Sequence, residues 1–131
     1  MNLETQLERI VLWAAEQSAI IAVALVGSHA RGTATEKSDV DLIILASSYT
    51  AYLEDHAWLS RFGDVERSAN EQWGRVDSVR ASYKTGVEIE FGFATLSWVE
   101  VPLDSGTRRV VQDGFKILFD PERLLDALQS N

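Results

Sequence analysis

The sequence predicts an α+β fold, with a mixed β-sheet and helices packed on one face. Three observations lead to this prediction. An amphipathic helical pattern opens the chain, β-branched apolar runs typical of strands follow it, and the predicted order of elements is α-β-β-α-β-β-β-(α)-β-α. The length of 131 residues fits one compact domain.

The N-terminal half contains two predicted helices and two predicted strands. Apolar residues at helical spacing define the first helix, and the strand after it ends at Gly27-Ser28. The predicted elements are a helix at about 3–17, a strand at 19–26, a short helical turn near 29–32, a strand at 39–45 and a helix at 50–61.

The C-terminal half is richer in strands. Lys84-Thr85-Gly86 is a tight turn, so the two strands that flank it should form an antiparallel hairpin. Asp120, followed by Pro121 and an acid, is typical of the start of a helix. The predicted elements are strands at 64–73, 76–84, 87–95 and 115–119, a short helix at 107–112, and a last helix from Asp120 to about Gln129.

Composition excludes several classes of function. There are 12 Lys and Arg against 20 Asp and Glu, a net charge of −8, which argues against general nucleic-acid binding because phosphates need clustered cations. The same charge fits a metal-binding acidic cleft or a cationic substrate. The chain has no cysteine for a disulfide or a thiolate metal site. It shows no signal-peptide pattern and no apolar run of roughly 18 residues, so we expect a cytoplasmic protein that does not bind membranes.

Two strands carry acids on one face. Side chains alternate along a strand, so Asp39 and Asp41 share one face of the strand at 39–45 and the opposite, apolar face must be the core. In the strand at 87–95, Glu88 and Glu90 likewise alternate with apolar residues. If the two strands belong to one sheet, the acids gather on its open face, where their repulsion favours a bound cation such as Mg²⁺. Each strand, taken alone, also fits an ordinary solvent-facing strand.

The corner after the first strand is a candidate anion site. Glycine at position 27 lets a phosphate approach the backbone, Ser28 offers a hydroxyl, and Arg31 offers a guanidinium. Ser28 can equally cap the next turn, and Arg31 can equally form a structural ion pair. The stretch is not a Walker A loop, because Thr33-Ala34 stands where Lys-Ser or Lys-Thr is required.

Taken together, these motifs resemble a known family. Gly27-Ser28-x-x-Arg31-Gly32 followed by Ser38-Asp39-Val40-Asp41-Leu42 is similar to the signature of the DNA polymerase beta-type nucleotidyltransferase superfamily, in its small and antibiotic-modifying branch. The resemblance covers about 20–95. It implies a polymerase beta palm-like nucleotidyltransferase fold, with 1–131 as a single nucleotidyltransferase domain and 96–131 as a short C-terminal extension.

The resemblance also implies a mechanism. Asp39 and Asp41 would hold two Mg²⁺ ions together with a third acid, for which we favour Glu90 over Glu88, and the other glutamate is a candidate general base. Gly27 and Ser28 would hold the phosphates of a nucleoside triphosphate, expected to be ATP. Arg31 is a further candidate for phosphate contact, because of its guanidinium group rather than because of the resemblance.

The acceptor is left open by the sequence. We expect AMP to be transferred to a hydroxyl of a small molecule or a protein, with release of pyrophosphate. The acceptor site would come from residues 98–131, from a second copy of the chain, or from a separate partner protein. The alternative function is a non-catalytic, antitoxin-like binding module of the same fold that covers a partner protein.

Overall fold

A six-stranded mixed sheet organises the computed structural model, which describes residues 2–35, 38–100 and 103–129. The strand order is β3-β4-β5-β2-β1-β6; β2 and β5 are parallel, and every other neighbouring pair is antiparallel. The elements are α1 Leu3–Glu16, β1 Ile20–Val26, α2 Ser28–Arg31, β2 Val40–Ala46, α3 Thr50–Glu54, a 3₁₀ helix Ala57–Phe62, β3 Val65–Trp73, β4 Val76–Tyr83, β5 Glu88–Ala94, a 3₁₀ helix Leu96–Val99, α4 Ser105–Asp113, β6 Phe115–Phe119 and α5 Asp126–Gln129.

The predicted α+β fold with a mixed sheet is confirmed. The larger core lies on the face that α1 covers, where Trp13 stacks on Trp58 with ring centroids 5.0 Å apart, and Trp58 meets Phe91 of β5 edge-on. The predicted layer of helices on one face is therefore present. A second, smaller core lies on the opposite face, where Trp98 of the 3₁₀ helix Leu96–Val99 and Leu125, just before α5, cover part of the sheet. The rest of that face stays open.

The hairpin of β4 and β5 forms as its turn residues predict. The amide of Gly86 donates to the carbonyl of Tyr83 at 2.9 Å, and Gly86 has the positive φ of +96° that favours glycine. Strand pairing then sets Arg80 opposite Glu90 and Ser78 opposite Gly92. This register decides which side chains meet on the open face of the sheet.

Two predicted helices differ from the structure. The helix expected at 50–61 is divided into α3 and a 3₁₀ helix, because Asp55 adopts an extended backbone and its carboxylate accepts from the amide of Ala57 at 2.9 Å. The helix expected from Asp120 begins only at Asp126. Asp120 instead accepts from the amides of Leu124 and Leu125 at 2.9 and 2.8 Å, which closes a turn before the helix. In the described part of the chain, no helix is long and apolar enough to cross a membrane.

Candidate active site

Neighbouring parallel strands place Asp41 and Glu90 side by side. In the pairing of β2 with β5, Asp41 lies opposite Glu90 and Ile43 lies opposite Gly92. The alternate residues of β2, such as Leu42, are buried in the larger core, so both carboxylates lie on the opposite face. The predicted gathering of acids from two strands on one face is therefore what the structure shows.

The Gly27-Ser28 corner lies directly against Asp41. Gly27 has a φ of +76°, and a Cβ added to it would stand 3.0 Å from Asp41 Oδ2. The backbone conformation therefore favours glycine, and any side chain at this position would also crowd the Asp41 carboxylate. The carbonyl of Gly27 accepts from the amides of Ala30 and Arg31 at 3.1 Å each, and α2 begins at Ser28, so the predicted helical turn is present.

Arg31 makes a contact that is neither the phosphate contact nor the ion pair considered from the sequence. Its Nη1 donates to the carbonyl of Asp113 at 2.5 Å, at the end of α4. A Cβ at Gly114 would stand 2.5 Å from Arg31 Cγ and 2.8 Å from the carbonyl oxygen of Gly27, so this glycine is needed for the close packing of α2 against the end of α4. Part of the Arg31 side chain therefore joins two elements of the fold.

Arg80 of β4 lies among the acids, and the sequence interpretation missed it. Its Nη1 is 2.9 Å from Asp39 Oδ2, and its Nε is 3.0 Å from Glu90 Oε2. The same Nε–H donates to Glu71 Oε1 at 3.3 Å, so its contact with Glu90 is one of charge rather than a hydrogen bond. The repulsion between these acids, which is expected to favour a bound cation, is therefore offset in part by a cation of the chain itself.

Two of these acids have raised pKa values in spite of the nearby guanidinium. Burial, and then the charge of Asp39, raise the pKa of Asp41 above its usual range. Burial, and then contact with the Glu71 carboxyl, raise the pKa of Glu90 to about 7. The pKa of Arg80 is raised, chiefly by its hydrogen bond to Asp39.

Several carboxylate oxygens at the site lack hydrogen-bond donors. Glu90 Oε1 accepts from the indole N–H of Trp73 at 2.8 Å, but Glu90 Oε2 is buried without a hydrogen bond. Within the described residues, no hydrogen bond or ion pair reaches the Asp41 carboxylate, and no three acidic or histidine side chains are already arranged around a common metal position. Glu88 differs, because its Oε1 accepts from the hydroxyl of Ser82 at 2.8 Å.

A cleft of about 780 Å³ opens beside these acids, between α4 and the end of the β3–β4 hairpin. Its volume is that of a small-molecule site. Arg75 closes one side, with Nη1 2.6 Å from Asp104 Oδ2 and Nη2 2.8 Å from the hydroxyl of Ser97. The apolar residues of the lining include Val26, Ile43, Trp73, Val76, Trp98 and Val110.

Two solved structures of transferases share this fold. An aminoglycoside 6-adenyltransferase from Bacillus subtilis superposes with a TM-score of 0.56 at 17% identity, over 75% of this chain and 37% of its own. A cytoplasmic RNA terminal U-transferase superposes with a TM-score of 0.54 at 18% identity, over 83% of this chain and 31% of its own. The chain thus spans about a third of the length of each, and these likenesses concern the fold.

The family follows from the sequence match. The model of the nucleotidyltransferase domain matches residues 5–89, more than half of the chain, so the chain belongs to the nucleotidyltransferase domain family. The matched region includes Gly27, Ser28, Asp39 and Asp41 and ends one residue before Glu90. No curated protein matches the chain.

Proposed function

We propose that the chain is a metal-dependent nucleotidyltransferase that moves AMP from ATP onto a hydroxyl of a small molecule or a protein. The observation that carries the proposal is the pairing of Asp41 with Glu90, directly beside the Gly27-Ser28 corner. The family match supports the class of reaction. The choice of ATP, of Mg²⁺ and of acceptor belongs to the proposal, as does the action of residues 1–131 as a single domain.

The acids fit a hard divalent cation such as Mg²⁺. Asp41 offers a carboxylate without a donor, and Glu90 offers a buried oxygen without a hydrogen bond. Carboxylate oxygens are the ligands that Mg²⁺ prefers. We propose Asp39, Asp41 and Glu90 as the residues that hold two ions, with Glu90 preferred to Glu88 because Glu90 is the register partner of Asp41.

Arg80 must then change partners. It contacts Asp39 and Glu90, two of the proposed ligands, and also Glu71, which is not one of them. We propose that Arg80 stabilises the acids before the metal binds and keeps its contact with Glu71 afterwards.

The residues of the chain divide the reaction between them. When bound, Mg²⁺ would neutralise the triphosphate and lower the pKa of the acceptor hydroxyl. Gly27 leaves room for a phosphate, and Ser28 offers its amide and hydroxyl to the same group. Arg31, with only its Nη1 used on Asp113, offers its remaining nitrogens. Attack forms the bond between the acceptor oxygen and the α-phosphorus, breaks the bond to pyrophosphate, and releases the hydroxyl proton to a carboxylate or to water.

Calorimetry with Mg²⁺ and ATP tests the proposal. Asp41→Asn should weaken metal-dependent ATP binding at least about tenfold. Even substitution of a residue that only hydrogen-bonds a metal ligand lowers metal affinity or activity by about this factor. Asp64→Asn is the matched control, because Asp64 is exposed and lies outside the acid-bearing face. Absence of metal-dependent nucleotide binding by the wild type would reject the enzyme and favour the binding module. Transfer of label from the four nucleoside triphosphates into cell extract would then identify donor and acceptor.

A further inference from the structure

The open cleft contains a buried hydroxyl that has no partner. Ser78 of β4 is 1% exposed, and its Oγ makes no hydrogen bond within the described residues. Such a group is costly to bury, and native structures usually satisfy it. Since the side chain turns about a single χ1 bond, a ligand in the cleft would find both a donor and an acceptor one rotamer away.

Ser78 stands at the boundary between two parts of the cleft. Along β4 it lies between Arg80, which contacts the acids, and Val76, which forms the apolar floor of the cleft together with Ile43. Across the sheet it is paired with Gly92. A Cβ at Gly92 would stand 2.8 Å from Val76 Cγ1 and 3.4 Å from Ile43 Cδ1. The absence of a side chain at Gly92 therefore keeps the floor flat at this point.

Aromatic side chains and α4 bound the space above this floor. Trp98 is buried and Trp73 is 59% exposed, and both line the cleft. Thr107 of α4 contributes a second buried hydroxyl without a hydrogen bond, although it lies close enough to Asp104 to help lower the pKa of that carboxyl. Thr107 therefore has a polar neighbour, whereas the hydroxyl of Ser78 has no hydrogen-bond partner among the described residues.

The charges of the cleft do not select a polycation. Among the described residues that line it, three acids are matched by three arginines; these are Asp41, Glu90, Asp104, Arg75, Arg80 and Arg109. Two of the arginines are already in contact with two of the acids. A divalent ion held by Asp41 and Glu90 would reduce the negative charge further.

The position of the cleft indicates which substrate it takes. Val26 and Asp41 line it, but the Gly27-Ser28 corner does not. In phosphoryl transfer the attacking and leaving oxygens lie roughly in line. If pyrophosphate leaves on the side of the corner, as in the function proposed above, the attacking hydroxyl approaches from the side of the cleft.

We propose that this cleft is the acceptor site and that it takes an uncharged molecule with a flat apolar body and a hydroxyl group, anchored by Ser78. The assignment as acceptor rests on the proposed function. The hydroxyl attacks the α-phosphorus and pyrophosphate leaves, as in the reaction above. Ser78 hydrogen-bonds the acceptor and thereby determines its position.

Amide proton–nitrogen spectra, recorded without Mg²⁺ or nucleotide, test this site apart from the proposed function. The probe is 2-naphthylmethanol, with its methyl ether as the matched compound that lacks the donor. We expect the alcohol to shift the amides of Val76, Ser78 and Gly92, and Ser78→Ala to weaken its binding by roughly two- to tenfold, the range of one hydrogen bond. The ether keeps an acceptor oxygen but lacks the donor, so Ser78→Ala should weaken its binding less than that of the alcohol. Ser60→Ala is the control, because the exposed Ser60 hydroxyl donates to the carbonyl of Ala57, away from the cleft.

Three results would overturn the assignment. The first is that the alcohol leaves these amides unshifted up to its solubility limit. The second is that kanamycin, a polycation, or adenosine shifts them more strongly at equal concentration, since the cleft would then select a cation or hold the nucleoside. The third is equal affinity of Ser78→Ala and wild type for the alcohol, which removes Ser78 from the site. Failure of Mg²⁺ and ATP to bind in calorimetry would reject the proposed reaction without altering these spectra.

Discussion

Substitution of Arg80 by glutamine should destabilise the metal-free protein, because three carboxylates lose a shared cation. The side chains of Asp39 and Glu71 are 37% and 33% exposed, so water screens these contacts and each contributes about 0–1 kcal/mol. Glu90 is only 9% exposed, and leaving a buried charge without its partner costs about 3 kcal/mol or more. Because Arg80 itself is 28% exposed, we expect a total loss of about 2–4 kcal/mol for Arg80→Gln.

Urea unfolding at about pH 8 measures this loss, because that pH lies above the raised pKa of about 7 of Glu90 as well as above the pKa of ordinary carboxylates. With a chelator present, Arg80→Gln should unfold at lower urea than wild type. Millimolar Mg²⁺ should raise the stability of the variant more than that of wild type, since the ion replaces the missing positive charge. The control is Arg67→Gln, whose side chain is 71% exposed and pairs with Glu66, and it should stay within about 0.5 kcal/mol of wild type.

Two outcomes would refute the reasoning. If Arg80→Gln is as stable as wild type in the chelator, Arg80 does not compensate the acids. If Mg²⁺ stabilises wild type and variant equally, the ion and the guanidinium do not share these carboxylates. The second outcome would also count against Asp39 and Glu90 as metal ligands.

Three further substitutions test the geometry around the site. Gly27→Ala should cost about 1–3 kcal/mol in urea unfolding from backbone strain and should displace the Asp41 carboxylate; wild-type stability would contradict the positive φ. Gly92→Ala should cost about 1–3 kcal/mol, because its methyl group would meet Val76; unchanged stability and probe binding would show that the floor can yield. The amide that Asp104 caps at the start of α4, and then its paired arginine, hold the pKa of Asp104 at about 2, below the ordinary value of about 4. Its stabilisation is therefore present above about pH 4 and lost as the pH falls towards 2. The stability difference from Asp104→Asn should shrink over that interval, and a constant difference would contradict the shift.

Local patterns were enough to predict the acid-bearing faces of β2 and β5. The alternation of polar and apolar side chains is a property of each strand alone, so Asp41 and Glu90 could be assigned to the face opposite the core from a few residues each. The choice between Glu88 and Glu90 is different in kind. It depends on the register of two strands that are distant in sequence, and the structure supplies the pairing of Asp41 with Glu90.

The position of Arg80 beside Glu90 could have been predicted from the sequence, although the sequence interpretation missed it. The turn at 84–86 had been identified, and counting back from it along the hairpin gives the pairing of Arg80 with Glu90 that the structure shows. Alternation along β4 then places Arg80 on the acid-bearing face, because Val79 and Ala81 belong to the core. The contact of Arg31 with Asp113 could not be found in this way. It depends on how α4 packs against α2, for which no local pattern exists.

The net charge of the whole chain is a poor guide to the charge of the cleft. The value of −8 suggested an acidic cleft or a cationic substrate, but that value is a sum over the whole chain. Much of the excess acid lies on exposed surfaces, as Glu8 and Glu16 of α1 do, on the side of the sheet away from the cleft. Within the described lining of the cleft, arginines offset the acids, and the position next to Ser78 is a glycine rather than a charged residue. An acceptor bound in this cleft, as proposed above, would meet the local balance of charge rather than the total, and that balance is compatible with an uncharged molecule.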